Sequence, residues 1–225
     1  VGANATVPHK QALLSLVDEL SPEARAIGAV NTLAVRPEGI LGHNTDAVGF
    51  LQALRGAGFD PQGCQALLLG AGGAARSVAY ALASVGARVT LLNRTPERAE
   101  ALAAALRQAW PGACLSAGPL DGEALSALGA VDLVVNATTL GMWPEVEASP
   151  WPQGVPFPAR AFCYDLVYNP RETRLMRQAR QAGARACDGL TMLVHQGAEA
   201  LRLWTGQPPP VEVMLAACEQ LLGGG

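Results

Sequence analysis

Two kinds of hydrophobic spacing alternate along the chain, and together they lay out its elements. Residues 1–7 read as a short strand. Residues 11–20 (QALLSLVDEL) carry apolar side chains at helical spacing, and Ser21-Pro22 ends that helix and opens the next. Residues 29–35 form a second strand pattern, the turn Pro37-Glu38-Gly39 follows, and the chain returns through Ile40-Leu41. Residues 42–46 are a polar loop, and residues 50–54 sit on a helix.

The texture then changes. Residues 66–69 are a short unbroken apolar run of the kind found in a buried parallel strand. A glycine-rich turn follows at once, then an alanine-rich helix to about Val85. Residues 88–92 predict a strand, 96–108 a helix, and Cys114-Leu115 a candidate third strand. Residues 131–136 and 162–167 predict two more strands, 172–182 a helix, and 184–187 a last short strand. Regular alternation of strand and helix argues for an α/β fold with a doubly wound (Rossmann) parallel sheet. From 190 to 222 the pattern is helical, interrupted by Gly206 and by Pro208-Pro209-Pro210.

A length of 225 residues fits one large or two modest domains. Half the residues are hydrophobic, enough for a substantial core, and the net charge of -3 leaves no basic footprint for nucleic acid. No apolar run is long enough to span a membrane. The five cysteines are scattered, with no pair at the spacing of a zinc site or a CxxC centre, and three histidines form no metal pattern. No metal is expected, and the cysteines read as small buried residues in a reducing compartment, which fits a cytoplasmic protein.

Among sixteen basic residues, fifteen are arginine and one, Lys10, is lysine. An ammonium can surrender a proton that a guanidinium keeps. Lys10 closes a segment dense in turn and polar residues, which makes it a candidate proton donor.

The glycine-rich turn follows a strand and opens a helix, the context a dinucleotide site requires. Gly70 permits the turn, Gly72 clears space for a pyrophosphate, and Ala75 lets helix and strand pack closely. The helix N-terminus offers free N–H groups to the phosphates. Candidate contacts there are Gly70, Ala71, Gly72, Gly73 and Ala74. At the end of the next strand an NAD site would place Asp or Glu on the ribose 2′-hydroxyl. This chain has Asn93, Arg94, Thr95 and Arg98 instead. Guanidinium pairs with a 2′-phosphate, so NADP is preferred, although Arg98 also fits an exposed helix charge. Asn136, Ala137 and Thr138 follow the fourth strand, where such sheets place their ligands; a polar turn bonded to its own backbone fits them equally well.

Seven segments together resemble shikimate dehydrogenase: GANATVPHK (2–10), IGAVNT (27–32), GHNTDAVGF (42–50), GAGGAAR (70–76), NRTPER (93–98), DLVYNP (165–170) and GLTMLVHQGA (189–198). They fall in family order and cover nearly the whole chain. The resemblance implies NADPH-dependent reduction of 3-dehydroshikimate to shikimate, on the route to chorismate and the aromatic amino acids. It implies Lys10 as the catalytic lysine and Asp46 as its partner carboxylate. Thr6, Asn31, Tyr168 and Gln196 match substrate-contacting positions, and Met192 a position close to the nicotinamide. Asp46, with Asn44 and Thr45, also fits a helix N-cap cluster. The implied division is residues 1–46 as the first part of a substrate domain, 47–188 as the NADP domain, and 189–225 as helices returning to the substrate domain. The family carries roughly one further βαβα stretch upstream, with two serines for the substrate carboxylate. The chain, opening on Val1 in mid-pattern, is therefore expected to be incomplete at its N-terminus. Ala3 and Ala5 also stand where bulkier β-branched residues are usual. The expected partner is a small-molecule substrate, with no nucleic acid or membrane, and a homodimer is left open.

Three other readings remain. A quinate/shikimate dehydrogenase of wider specificity often uses NAD, which the missing acid at Asn93 disfavours. A non-catalytic nucleotide-binding fragment or paralogue has no reason to keep both Lys10 and Asp46. Another two-domain NADP dehydrogenase leaves the segments at 42–50 and 165–170 unexplained.

Overall fold

The structure, a computed structural model, describes residues 1–223. It contains two sheets. The smaller is built from β1 (Gly2–Asn4), β2 (Glu19–Leu20), β3 (Thr32–Arg36) and β4 (Gly39–His43), in the order β1-β3-β4-β2. The larger has six strands: β5 (Gln65–Leu69), β6 (Arg88–Asn93), β7 (Cys114–Pro119), β8 (Leu133–Asn136), β9 (Phe162–Asp165) and β10 (Arg185–Cys187). Their order is β10-β9-β8-β5-β6-β7, with every neighbouring pair parallel. The expected doubly wound sheet is present.

Eight α-helices accompany the strands among the described residues: α1 (Pro22–Ile27), α2 (Asp46–Gly56), α3 (Gly73–Ser84), α4 (Pro96–Ala109), α5 (Gly122–Ser126), α6 (Arg174–Gln181), α7 (Leu190–Thr205) and α8 (Val211–Gly223). Side chains on β5 alternate between two cores, because successive residues of a strand face opposite sides. Ala66 and Leu68 join Leu54 of α2, Val78 of α3 and Leu102 of α4. Leu67 and Leu69 join Leu125 of α5 and Leu175 of α6. Both faces of the large sheet are therefore dry, which explains its unbroken apolar runs.

Local spacing misleads between residues 11 and 20. The expected helix is a single 3-10 turn, Ala12–Ser15, none of it buried, followed by β2. Pairing overrides period here: Asp18 N donates to Ile40 O at 3.0 Å, the Ile40 amide donates back to Asp18 Oδ2 at 2.7 Å, and Glu19 then registers with Leu41. The first strand is also shorter than the expected 1–7, since the chain turns at Thr6, whose carbonyl accepts from His9 N at 2.9 Å. The third strand of the large sheet is longer than expected, and α5 carried no clear sequence signal.

Two contacts join the C-terminal helices to the small sheet and to α2. Trp204 Nε1 on α7 donates to Leu33 O on β3 at 2.8 Å. At Gly49, α2 and α7 cross so closely that a Cβ would lie 2.7 Å from the Gln196 amide nitrogen.

Candidate active site

Lys10 stands in the turn between β1 and the 3-10 segment. Its carbonyl accepts from Val30 N at 2.8 Å, which fixes the turn beside Asn31. Its Nζ lies 2.6 Å from Asp46 Oδ2, with the side chains only 11% and 5% exposed. Asp46 opens α2, where the helix dipole favours a carboxylate. Its second oxygen, Oδ1, accepts from Asn31 Nδ2 at 2.8 Å.

Asn31 is buried and is the centre of this network. Its Nδ2 also reaches Thr45 Oγ1 at 3.0 Å and Gln196 Oε1 at 3.2 Å. Its Oδ1 accepts the Thr45 amide at 2.8 Å. The helix cap is shared differently from the expected cluster. Thr45 is the cap residue without a capping side-chain bond, and Asn44 Oδ1 accepts from Ala47 N at 3.3 Å. Thus Lys10, Asp46, Asn31 and Gln196 come together, and Thr45, expected only as part of a helix cap, joins them through Asn31.

Of this cluster Lys10 reaches the cleft of about 590 Å³ that the glycine turn also lines. Gly70 to Gly73 form one wall, Ala137, Thr138 and Thr139 another, and Lys10 with Val7, Pro8 and Gln11 a third. Asn93, Arg98, Ala101 and Arg76 complete it. A Cβ on Gly73 would stand 3.2 Å from the Lys10 Cβ, so the turn lies against the lysine stem.

The cleft suits a dinucleotide. Gly70 has φ +112°, and a Cβ there would meet the Ala137 carbonyl at 3.1 Å. Nothing lies within 4 Å of a Cβ placed on Gly72, so the backbone is open to the cleft. The first turn of α3 has no acidic residue and no side-chain cap, leaving its N–H groups free for phosphate. Arg76 adds a cation whose buried Nε has no partner, and burial lowers its pKa. Sequence reading placed Arg76 in a motif without giving it a role.

Other expected residues stand further off. Arg94 and Thr95 are exposed at the β6 tip, and Asn93 Nδ2 donates to Thr95 O at 2.8 Å. Ala74 is half-buried on α3, and Met192 on α7 is buried in the core. Thr6 is exposed and Tyr168 is 38% exposed, and neither lines the cleft wall. Asn136 sits behind the cleft wall, fully buried.

Comparison with known proteins fits this geometry. Residues 1–33 match the shikimate dehydrogenase substrate-binding domain, 53–141 the shikimate/quinate 5-dehydrogenase family, and 189–219 the shikimate 5′-dehydrogenase C-terminal domain. The NADP⁺ shikimate dehydrogenase of Moorella thermoacetica is 49% identical over 99% of this chain, which spans 75% of that relative. The crystal structure of Thermus thermophilus shikimate 5-dehydrogenase with NADP(H) and shikimate has a TM-score of 0.85 and 44% identity. That match covers 97% of this chain and 78% of the other. Quinate dehydrogenase of Corynebacterium glutamicum with NAD has a TM-score of 0.84 at 35% identity, over 96% of this chain and 76% of its own.

Proposed function

Because the chain belongs to the shikimate dehydrogenase family, we propose that it reduces 3-dehydroshikimate to shikimate with NADPH, as an oxidoreductase acting on a CH–OH group. The observation that carries the reading is Lys10 on the wall of the cleft that faces the glycine turn, with the buried Asp46 carboxylate 2.6 Å behind its ammonium.

The reduced dinucleotide, when bound, supplies the hydride that a ketone needs at carbon. The protein's own residues supply the rest. Gly70 to Gly73, Ala74 and the free α3 amides receive the pyrophosphate. Asn93, Arg94, Thr95 and Arg98 take the 2′-phosphate. Ala137 and Thr138, with Asn136 behind them, would flank the cofactor, and Met192 would stand on its nicotinamide side.

Lys10 Nζ hydrogen-bonds the substrate carbonyl oxygen and gives it a proton as negative charge develops there. Asp46 Oδ2 holds the ammonium in line, and Asn31 on Oδ1 fixes the carboxylate's direction. Asn31, Gln196, Thr6 and Tyr168 hold the substrate hydroxyls. General acid assistance of this kind is worth about 10²–10⁴-fold in rate.

In the same reading, residues 1–46 and 189–225, of which 224–225 lie outside the described residues, make the substrate unit and 47–188 the NADP unit. The protein works in the cytoplasm, which cell fractionation tests, and light scattering decides whether it forms a homodimer.

The functional test is steady-state kinetics with NADPH and NADH, and with shikimate and quinate. Lys10→Arg keeps NADPH binding and lowers kcat by at least about 100-fold. Near-normal turnover in that variant removes Lys10 from the mechanism.

A further inference from the structure

Asp165 ends β9 with none of its surface exposed. No cation pairs with it among the described residues. Three donors converge on it instead. Oδ1 accepts from Asn136 Nδ2 at 2.8 Å and from the Val167 amide at 3.0 Å. Oδ2 accepts from the Thr173 hydroxyl at 2.7 Å. A buried carboxylate without a counter-ion is costly, and burial pushes this one up to about 6.

What the carboxylate does to Asn136 is specific. A carboxylate only accepts, so it forces the Asn136 NH₂ to face backward and the Asn136 Oδ1 to face forward. That oxygen then accepts the Thr138 amide at 2.9 Å and the Thr138 hydroxyl at 2.7 Å. Ala137 and Thr138 are the cleft wall that packs on Gly70. An Asn136 free to rotate would present its NH₂ to the Thr138 N–H, donor against donor.

We propose that Asp165 is a positioning residue for the cofactor, acting through Asn136 to hold the Ala137-Thr138 wall of the dinucleotide cleft. The proposal rests on the reading of the cleft as an NADPH site. The Thr173 arm leads elsewhere: its hydroxyl accepts the Met176 amide at 3.2 Å and caps α6. That arm serves stability and supplies the control.

The test measures KM for NADPH, KM for shikimate, kcat and melting temperature. Asp165→Ala raises the NADPH KM about tenfold, more than it changes the shikimate KM. Asp165→Asn, whose neutral oxygen still accepts from Asn136, raises it less than about threefold. Thr173→Val lowers the melting temperature and leaves the NADPH KM at the wild-type value.

An unchanged NADPH KM in folded Asp165→Ala, or a Thr173→Val variant equally impaired in cofactor binding, overturns the proposal. If Asp165→Ala does not fold, hydrogen exchange at the Thr138 amide decides. Exchange faster by about threefold in Asp165→Ser, whose shorter side chain does not reach Asn136, supports it, and exchange equal to the wild type in that variant overturns it. Failure of the wild-type enzyme to bind NADPH sinks the functional reading itself, an outcome separate from any of these.

Discussion

Protonating Asp165 should stabilise the fold, the reverse of the usual behaviour of a carboxyl group in a folded protein. Burial raises its pKa from 3.8 to about 6, with Asp188 adding to the rise and the bonds from Thr173, Val167 and Asn136 opposing it. In the unfolded chain the group returns to its ordinary value. Between those two values the folded protein binds more protons than the unfolded chain, so stability falls as pH rises across the window. A gap of roughly two pKa units corresponds to about 3 kcal/mol. Asp165→Asn abolishes this titration while keeping the local bonds. Its oxygen can accept from Asn136 and Val167, and its NH₂ can donate to the Thr173 hydroxyl, which turns to receive it. Urea denaturation of both proteins from about pH 4 to about pH 7 isolates the effect. The unfolding free energy of the variant minus that of the wild type should rise by about 3 kcal/mol and level off above the upper value. A difference that stays flat across the window would refute the reasoning, because Asp165 would then ionise as it does in the unfolded chain.

Gly49→Ala sets two effects against each other. Alanine gains about 1 kcal/mol in helix propensity, but its Cβ would lie 2.7 Å from the Gln196 backbone nitrogen. Overpacking against backbone costs about 1–3 kcal/mol, so thermal melts should show net destabilisation, and displacement of Gln196 should raise the KM for shikimate. Trp204→Phe removes the bond to Leu33 O and should cost about 1–2 kcal/mol in denaturant melts. Its KM for NADPH should not move, since Trp204 ties α7 to the small sheet and not to the cleft.

Strand and helix in the large sheet were legible because both its faces are buried. Apolar runs such as residues 66–69 then need no help from context, and the glycine turn follows where the strand ends. Residues 11–20 were not legible. Their spacing is helical, but Asp18 and Glu19 are drawn to the edge of β4 by partners more than twenty residues downstream. The site shows the same division. Lys10 stood out as the sole lysine and Gly70 to Gly73 through their place between strand and helix. Thr45, Arg76 and Asp165 fell within marked segments, but nothing local gave them the contacts they make. Asp165 depends on Asn136, 29 positions upstream, and the bond from Asn31 to Gln196 spans 165 positions. Periodicity cannot register such pairs, and only the resemblance of whole segments drew Asn31 and Gln196 together.

The surroundings of Lys10 also give a reason why arginine does not serve there. An ammonium has three donors arranged around one nitrogen. One is committed to Asp46 Oδ2, which leaves two for the cleft and the substrate oxygen. A guanidinium prefers to meet a carboxylate with two parallel bonds. At this position the second bond would compete with Asn31 for Asp46 Oδ1. Winning that contest would release Asn31 and, with it, the link to Gln196. Losing it would leave a planar cation turned away from its partner. The stem is constrained as well. It lies on Gly73, where even a single added carbon would stand 3.2 Å from the Lys10 Cβ. A slender chain ending in a compact charge fits between the glycine turn and Asp46, and a wider head does not. The chemical demand for a removable proton and the geometric demand for a narrow side chain therefore select the same residue.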